Sequence, residues 1–526
     1  MGSTNRTSYD EVPYESHPFP QTHIDRLATV ATLLGLRPVP VTRCRVLELG
    51  TAAGGNLLPM AVAFPDSTFL GIDLSAVQVA EGNETVRSLG LKNIELKRLS
   101  ITDVGPDLGK FDYIICHGVY SWVPNEVQDK ILEVNRENLS PNGIGYVSYN
   151  TYPGWHMRGM IRDMLSYHAR QFVEPQTRIH QARNLLDFLG KAAGSENTPY
   201  GLLLKQELEA IRGSSDSYLF HEHLEDVNEP TYFYQFAERA KAHGLKYVAE
   251  VDLRVMVASN FPPEIANVLN MLSHDLIHLE QYMDFIRNRM FRQTLLCHKN
   301  LNPNYNLRAD QLTPFHVASA AKPANPKPDL NSANVEKFET PDGVTLNSSD
   351  PLVKSAMVCL SEIWPQTIPF KTLVKQARER LENKDAKAAE KDVEILGQAF
   401  LTFYVSGSTS LLELHLEPPR FCPKVSERPE ASPLARLQAP TSNRVTNLRH
   451  ESVYLGDIER QILKNLDGSH DRAALIRVLT ELVANGELMV EKDGESVTNA
   501  DQVRDIVANA LDKQLPTIAR NALLIK

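Results

Sequence analysis

The segment at positions 46–56 constrains the fold of this 526-residue chain more than any other stretch. A short apolar run ends in Glu48, and the turn that follows, Gly50-Thr51-Ala52-Ala53-Gly54-Gly55, opens into a helical pattern. A second apolar run ends in another acid, Asp73. Strand, glycine turn, helix and acid-terminated strand form the first half of a doubly wound α/β sheet, in which ligands bind beyond the carboxyl ends of the strands.

The spacing of the glycines distinguishes between two classes of adenosine-containing cofactor. A dinucleotide site needs Gly-x-Gly-x-x-Gly, but position 52 is alanine and the pattern here is Glu-x-Gly-x-x-x-Gly. That pattern resembles motif I of class I S-adenosylmethionine (AdoMet) methyltransferases; the alternative is a glycine turn in an unrelated α/β protein. The resemblance implies that the turn holds the methionine part of AdoMet, that Asp73 accepts the ribose hydroxyls, and that Glu48 fixes the turn or reaches the cofactor amine through water. The predicted contacts in these segments are Glu48, Gly50, Thr51, Gly54, Asn56, Asp73 and Leu74.

Further apolar runs predict the rest of a parallel sheet, with strands at 45–49, 68–72, 94–99, 113–116 and 145–149. Asp25 is predicted to cap a helix before the first strand, and the turn at 140–143 to precede the fifth strand. A helical insertion at about 156–220 delays two late strands, 245–251 and 290–298, the second antiparallel. We therefore predict an α/β fold, a Rossmann-like class I methyltransferase sheet with a helical insertion, over residues 1–300.

Two smaller winged-helix-like α+β domains are predicted after the sheet. The first is a middle, regulatory unit at 301–430, with a linker at 318–334 and an extended stretch at 403–416; the second is a C-terminal unit at 442–526. Winged helices often bind DNA, but the net charge of −10 and the lack of a basic stripe predict no nucleic-acid partner. We expect these units to contact protein.

The composition of the chain bears on its cellular location, on disulfide formation and on metal binding. No apolar run is long enough to span a membrane and no signal peptide is visible, so a cytoplasmic location is predicted. The five scattered cysteines indicate a reducing compartment, with neither disulfides nor a zinc cluster. His274 and His278 have helical i, i+4 spacing but no third ligand, so no metal is predicted. The segment His221-Glu222-His223 is interpreted as a solvated loop.

The loop after the fourth strand normally faces the transferred methyl group in this fold. His117 and Gly118 are predicted to offer backbone groups to the cofactor, and Tyr120 and Trp122 to wall an acceptor channel that suits an amine. A second aromatic set after the fifth strand faces the same edge, with ordinary packing as the alternative for each ring. It comprises Tyr149, Tyr152 and Trp155.

Two other segments complete the expected cofactor site. Ser100 and Ile101 follow the third strand, where many relatives place an acid against the adenine, so the serine hydroxyl or the next amide would substitute for it. The N-terminal segment, with Tyr14 and His23, precedes an amphipathic helix and is predicted to form a lid over AdoMet.

Longer stretches resemble one bacterial family. They are Ser8-Tyr9-Asp10-Glu11-Val12-Pro13-Tyr14, the loop from His117 to Pro124, Tyr149-Asn150-Thr151-Tyr152-Pro153-Gly154-Trp155, His221-Glu222-His223-Leu224-Glu225, and the run from Arg287 to His298. The chain resembles AdoMet methyltransferases that carry a methyltransferase regulatory domain, represented by the rickettsial protein lysine methyltransferases of outer membrane protein B. The resemblance implies a dimerisation insertion and a C-terminal domain that engages substrate.

Three functions follow as hypotheses. The first is an N-methyltransferase acting on lysine in a protein or peptide. The chain has over 200 residues outside the catalytic domain, and these favour a large acceptor. The second is a methyltransferase of small molecules. The third is a non-catalytic protein that senses AdoMet, which the intact Glu48, Gly50, Gly54 and Asp73 disfavour. A homodimer is predicted through Met157, Met160, Ile161, Met164 and Leu165, with packing inside their own domain as the alternative.

Overall fold

Seven strands from the first 300 residues form one sheet. In this computed structural model the described residues are 8–193, 198–382, 389–407, 411–492, 495–497 and 499–526. The strands are β1 (Arg45–Leu49), β2 (Thr68–Asp73), β3 (Ile94–Arg98), β4 (Phe111–Cys116), β5 (Leu139–Asn150), β6 (Leu245–Glu250) and β7 (Phe291–His298). Their order is β3-β2-β1-β4-β5-β7-β6, and β7 runs antiparallel to both neighbours. The α/β class, the Rossmann-like sheet and its antiparallel last strand are confirmed.

Helices cover the sheet and form the insertion. They are α1 (Ser8–Glu11), α2 (Ile24–Leu33), α3 (Leu57–Ala63), α4 (Ala76–Leu89), α5 (Asn125–Asn138), α6 (Trp155–Ala169), α7 (Pro175–Ala193), α8 (Pro199–Arg212), α9 (Asp216–His223), α10 (Phe233–Ala242), α11 (Pro263–Leu272) and α12 (Leu276–Arg287). Helices α6 to α9 bury a core of their own, in which Ile161 and Leu165 are fully buried. Those two residues of the predicted dimer surface therefore pack inside their own domain.

Two local predictions were wrong. The turn at 140–143 lies inside β5 as an irregularity, because pairing with β4 begins at Leu139 and resumes at Ile144. Asp25 does not cap α2, since the ring of His23 accepts the first free backbone N–H instead. The buried Asp25 carboxylate accepts the backbone N–H groups of Leu416 and Glu417 at 3.1 and 2.7 Å, which ties α2 to the middle unit.

Arg292 anchors β7 to the helix that precedes it. Its guanidinium is fully buried and reaches both carboxylate oxygens of Asp284 at 2.7 and 2.9 Å, Glu250 at 3.1 Å and Glu280 at 3.1 Å. Burial alone would raise the pKa of Glu250, but Arg289 and Arg292 hold that pKa below its usual value. The arginine-rich run at 287–298 therefore has a structural role.

Seventeen further helices and strands of the described residues build the two small units. They are β8 (His316–Ala318), β9 (Lys322–Pro323), β10 (Glu336–Glu339), β11 (Thr345–Ser348), α13 (Pro351–Ile363), β12 (Ile368–Pro369), α14 (Phe370–Glu379), α15 (Ala389–Val405), β13 (Glu413–His415), α16 (Pro433–Gln438), β14 (Arg444–Thr446), β15 (Ser452–Tyr454), α17 (Asp457–Lys464), α18 (Arg472–Ala484), β16 (Glu491–Lys492), β17 (Glu495–Ser496) and α19 (Ala500–Arg520). The order of α13, β12, α14, α15 and β13 is that of a winged helix.

The sequence underestimated the order of the middle unit. Helix α15 continues to Val405, because Leu396, Phe400 and Tyr404 recur at helical spacing and are buried. Among the described residues of the predicted extended stretch, 413–415 form the one strand. The predicted linker at 318–334 is held by the buried Lys354. Its ammonium donates to three backbone carbonyl oxygens of that segment at 2.6, 2.8 and 3.1 Å.

Candidate functional site

The glycine turn after β1 is shaped by its backbone. Gly50 has φ +76°, and its N–H and that of Thr51 donate to the Ile72 carbonyl oxygen at 2.9 and 3.0 Å. A Cβ at position 50 would lie 2.5 Å from the Val119 side chain, so glycine permits this close approach to the loop after β4. The turn is thereby fixed against the ends of both neighbouring strands.

Glu48 supports the turn from inside. Its carboxylate accepts from the Thr51 hydroxyl at 2.8 Å and from the Asn56 amide at 2.6 Å. Burial raises the pKa of Glu48 to about 7, although the two hydrogen bonds oppose the rise. The acid can therefore change charge near neutral pH.

Asp73 ends β2 beside the turn. Its two oxygens accept backbone N–H groups from Ala52 at 2.8 Å and from Ser75 at 2.9 Å, and burial raises its pKa. The neighbouring Leu74 side chain is 52% exposed and offers an apolar surface next to the acid. Ser100 caps the short helix that contains Ile101, and its hydroxyl lies 2.7 Å from that of Thr102.

The N-terminal segment crosses the glycine turn. Ser16 accepts the Gly55 N–H at 2.7 Å, and a Cβ on Gly55 would lie 2.5 Å from the Ser16 backbone. Nearer the start of the chain, the Ser75 hydroxyl donates to Asp10 at 2.7 Å, and Gln78 donates to the Tyr14 carbonyl oxygen at 2.9 Å. The segment thus contacts the glycine turn and the start of α4, and its action as a lid stays a prediction.

The insertion holds this segment in place. The ring of His221 contacts the Val12 carbonyl oxygen at 2.6 Å and the Glu225 carboxylate at 2.8 Å, and it meets the ring of Tyr14 edge-on. His221 and His223 are buried at the end of α9, so the interpretation of this segment as a solvated loop was wrong.

His117 begins the loop after β4 and lies among aromatic rings. It is 4.2 Å from Phe19 and 6.1 Å from Phe291 between ring centroids, and its Nδ1 is 2.8 Å from the Tyr146 hydroxyl. Desolvation lowers the pKa of its imidazole well below the usual value, which keeps the ring neutral. The N–H of the exposed Gly118 donates to the Ser148 hydroxyl at 2.9 Å.

The predicted acceptor rings lie in different environments. Tyr120 is 1% exposed and packs edge-on against Phe236, so it is a core side chain and not the wall of an open channel. Tyr149 is also buried, stacked on Phe236 at 4.1 Å. Trp122 is half-buried above the buried Trp155, with 6.2 Å between their ring centroids. Tyr152 is also half-buried and stacks on His156 at 4.0 Å.

Sequence reasoning missed several contributors to this region. Asp10, Ser16 and Phe19 lie in a segment that was expected to form a lid, but no local pattern marked them individually. His450 touches Asn56 from the C-terminal unit and had no sequence signal at all. His23 caps α2 and faces His450, with 5.0 Å between ring centroids, so these contacts account for its position without a cofactor.

Comparisons with known proteins agree with this geometry. A methyltransferase domain model matches residues 47–144, a predicted methyltransferase regulatory domain matches 215–298, and a PKMT C-terminal winged helix domain matches 427–523. An uncharacterized protein of Rickettsia prowazekii is 39% identical over 98% of this chain and 93% of its own length. PKMT2 from Rickettsia typhi, solved in complex with AdoHcy, superposes with a TM-score of 0.87 at 34% identity, covering 98% of this chain and 100% of that one.

Fold and site together define a class I AdoMet-dependent methyltransferase. The chain belongs to the family of bacterial methyltransferases that combine this domain with a regulatory domain and a PKMT winged helix. AdoMet is its cofactor, and the residues present fit that group, with a half-buried carboxylate at Asp73, an exposed apolar Leu74 beside it and an exposed backbone at Gly118. The matched regulatory model spans α9 to β7, outside the middle unit at 301–430 to which we had assigned a regulatory role.

The described part of the chain bears on two further properties, metal binding and membrane insertion. Within it, no group of three or more His, Cys, Asp or Glu side chains is placed to hold a metal ion. Nor does any helix there have the length and apolar character needed to cross a membrane.

Proposed function

We propose that this enzyme transfers the methyl group of AdoMet to the side-chain nitrogen of lysine in a protein acceptor. The observation that carries the proposal is the similarity to PKMT2 of Rickettsia typhi, which extends over 98% of this chain and so includes both small units. A fold that binds only the cofactor needs the first 300 residues. The retained middle and C-terminal units supply a surface suited to a large acceptor.

The proposed cofactor contacts follow the strand ends. Glu48 and the turn would hold the methionine part, Asp73 the ribose, Leu74 and Ile101 the adenine faces, and the His117–Gly118 loop the sulfonium side. The proposed contacts are Tyr14, Glu48, Gly50, Thr51, Gly54, Asp73, Leu74, Ser100, Ile101, His117 and Gly118. The side chains of His23 and Asn56, which the sequence also places in this set, are engaged by protein groups and would support the turn from behind.

Methyl transfer mainly requires that the acceptor amine is uncharged and correctly oriented toward the methyl group. AdoMet, when bound, supplies the reactive methyl carbon. The amine lone pair forms the new N–C bond as the S–C bond breaks, AdoHcy leaves, and the extra proton on nitrogen passes to solvent. Trp122 and Tyr152, half-buried beyond β4 and β5, would guide the amine along their ring faces.

Labelled AdoMet tests the acceptor class. Enzyme, labelled AdoMet and size-fractionated bacterial lysate are incubated together, and labelled proteins are digested and searched for methyllysine. Label on lysine in proteins supports the proposal. Label confined to small molecules would identify a small-molecule methyltransferase, and AdoHcy binding without any transfer would identify an AdoMet sensor.

The aromatic rings provide a second test of the same site. Trp122→Ala should lower kcat at least tenfold while AdoHcy affinity changes less than threefold, because the ring faces the acceptor and not the cofactor. Trp122→Phe should recover most of the activity. Phe403→Ala, at a half-buried ring of α15 in the middle unit, is the control. Full turnover by both Trp122→Ala and Tyr152→Ala would contradict the guiding role.

The cellular setting is also part of the proposal. A cytoplasmic location is supported by five free cysteines, four of them buried. A homodimer is supported by apolar side chains that remain exposed on the insertion, such as Tyr167 at 70% and Phe188 at 64%. Sedimentation of the full chain at micromolar concentration, with Phe188→Glu beside it, measures whether this surface associates.

A further inference from the structure

The side chain of Asn56 uses its full hydrogen-bonding capacity. Its NH₂ group donates to Glu48 at 2.6 Å and to the Thr22 hydroxyl at 2.8 Å. Its carbonyl oxygen accepts the Phe19 backbone N–H at 3.0 Å and contacts Nε2 of His450 at 2.8 Å. The Thr22 hydroxyl also lies 3.1 Å from that oxygen. Both amide hydrogens and both acceptor positions of the side chain are therefore engaged.

The four partners come from four parts of the chain. Glu48 belongs to β1, Phe19 to the N-terminal segment over the glycine turn, and Thr22 to the entrance of α2. His450 belongs to the loop between β14 and β15 in the C-terminal unit, 394 residues from Asn56. Asn56 is 4% exposed and His450 is 3% exposed, so water cannot readily replace the contact.

The loop that carries His450 is rigidly built. His450 has φ +62°, a left-handed conformation that is uncommon for a histidine. Asn447 fixes the loop by accepting the backbone N–H groups of Arg449 and Glu451, both at 2.9 Å. Arg449 in turn pairs with Glu413 of the middle unit at 2.7 and 2.9 Å. Both small units therefore support the position of the imidazole.

The ring itself is held in its neutral form. Burial, with His23 beside it, lowers the pKa of His450 well below the usual value. Nδ1 of His450 has no hydrogen-bond partner among the described residues, whereas Nε2 faces the Asn56 oxygen. The tautomer that fits carries its proton on Nε2 and donates it to Asn56.

We propose that His450 is a positioning residue for AdoMet binding, through which the C-terminal winged-helix unit completes the cofactor site. His450 orients the Asn56 amide, the amide holds the Glu48 carboxylate and the Phe19 backbone, and these two groups set the glycine turn and the segment above it. Cofactor affinity then depends on the docked C-terminal unit. The inference rests on the proposed placement of AdoMet at the turn.

Two substitutions of His450 in the full-length protein test the donor. His450→Leu removes the N–H and should weaken AdoHcy binding about 5- to 30-fold by calorimetry, as expected for the loss of one buried hydrogen bond to an amide oxygen that keeps its Phe19 partner. His450→Gln can present an N–H near the same place and should stay within about threefold of the wild type. His470→Leu, another histidine of the C-terminal unit, is the matched control and should leave affinity unchanged.

A double-mutant cycle separates positioning from general damage. If His450 acts through Asn56, His450→Leu should cost little further AdoHcy affinity once Asn56→Ala is present. Additive losses, or equal affinity in the Leu variant and the wild type, would overturn the proposal. Loss of affinity in Gln and Leu alike, with an unchanged melting temperature, would also overturn it. Normal AdoHcy affinity in Asp73→Ala would instead mean that the cofactor lies elsewhere.

Discussion

The buried side chains of Arg292 and Asn56 each join several segments, but they differ in charge and in the chain distance they span. Arg292 is a cation whose acidic partners lie 8, 12 and 42 residues away. Asn56 is neutral, and its partners lie 8, 34, 37 and 394 residues away. The Arg292 cluster joins neighbouring elements at one edge of the sheet. The contacts of Asn56 instead join distant parts of the chain at the glycine turn.

The energetic consequence differs as well. Removing Arg292 leaves three buried carboxylates short of a cation, which is expensive in an apolar interior. Removing a partner of Asn56 leaves one neutral group unsatisfied, which costs far less. We therefore expect the first cluster to control stability and the second to control affinity.

Arg292→Leu should have the largest effect in the molecule. Loss of the guanidinium should destabilise the sheet domain by about 3–5 kcal/mol, measured from the first transition in urea denaturation. AdoHcy affinity of the folded fraction should stay within about threefold. Arg472→Leu, which breaks an exposed pair with Asp512, should leave the free energy of unfolding nearly unchanged. A stable Arg292→Leu protein with weakened AdoHcy binding would reverse the comparison.

Asp73→Ala should have the largest effect on the cofactor. Loss of two charge-assisted bonds to the ribose should weaken AdoHcy about 10- to 100-fold in calorimetry. Asp73→Asn keeps one acceptor and the contact with the Ala52 N–H, so its loss should be smaller. Asp66→Ala, at an exposed aspartate before β2, is the control. Unchanged affinity in the Asp73→Ala protein would remove Asp73 from the site.

The raised pKa of Glu48, about 7, predicts a pH dependence of binding. A cationic amine near this carboxylate favours its ionised form, so AdoHcy binding should release a proton below pH 7. Affinity should then rise by up to about tenfold per pH unit between pH 5.5 and 7 and level off above that range. Glu48→Gln should flatten the profile. A slope that persists in that variant would assign the titration to another group, such as Asp73.

Ser16→Ala should produce the smallest change. It removes one hydrogen bond to the Gly55 N–H and should raise the AdoHcy dissociation constant about two- to tenfold, mainly through faster release in stopped-flow experiments. Ser16→Thr retains the hydroxyl oxygen that accepts the Gly55 N–H and should release AdoHcy at close to the wild-type rate. A release rate in the Ala variant equal to that of the wild type would mean that the N-terminal segment does not retain the cofactor.

Local patterns were sufficient for much of the fold. Strand β1 occupies the predicted residues 45–49, and β2 extends the prediction only by the acid that ends it. The reason is that a buried parallel strand and a glycine turn each leave a continuous signature in sequence. Glu48, Gly50 and Asp73 were recognisable for the same reason.

Features that depend on contacts between distant segments could not be predicted from the sequence. Tyr120 follows β4 as an acceptor residue would, but Phe236, 116 residues later, packs against it and makes it part of the core. Asp25 has the residue type and position of a helix cap, yet the backbone at 416 and 417 takes its carboxylate. His450 lacked any periodic or compositional signal, since its only marker is where the folded C-terminal unit places it.

The span of the Asn56 network also sets an order of events during synthesis. At about 5–20 residues per second, roughly 20–80 s separate the emergence of Asn56 from that of His450, 394 positions later. Throughout that interval the nascent sheet domain has its glycine turn but lacks the last partner of the amide. Under the proposed role of His450, a growing chain meets AdoMet with an unfinished pocket, and tight binding of AdoMet follows the emergence and docking of the C-terminal unit.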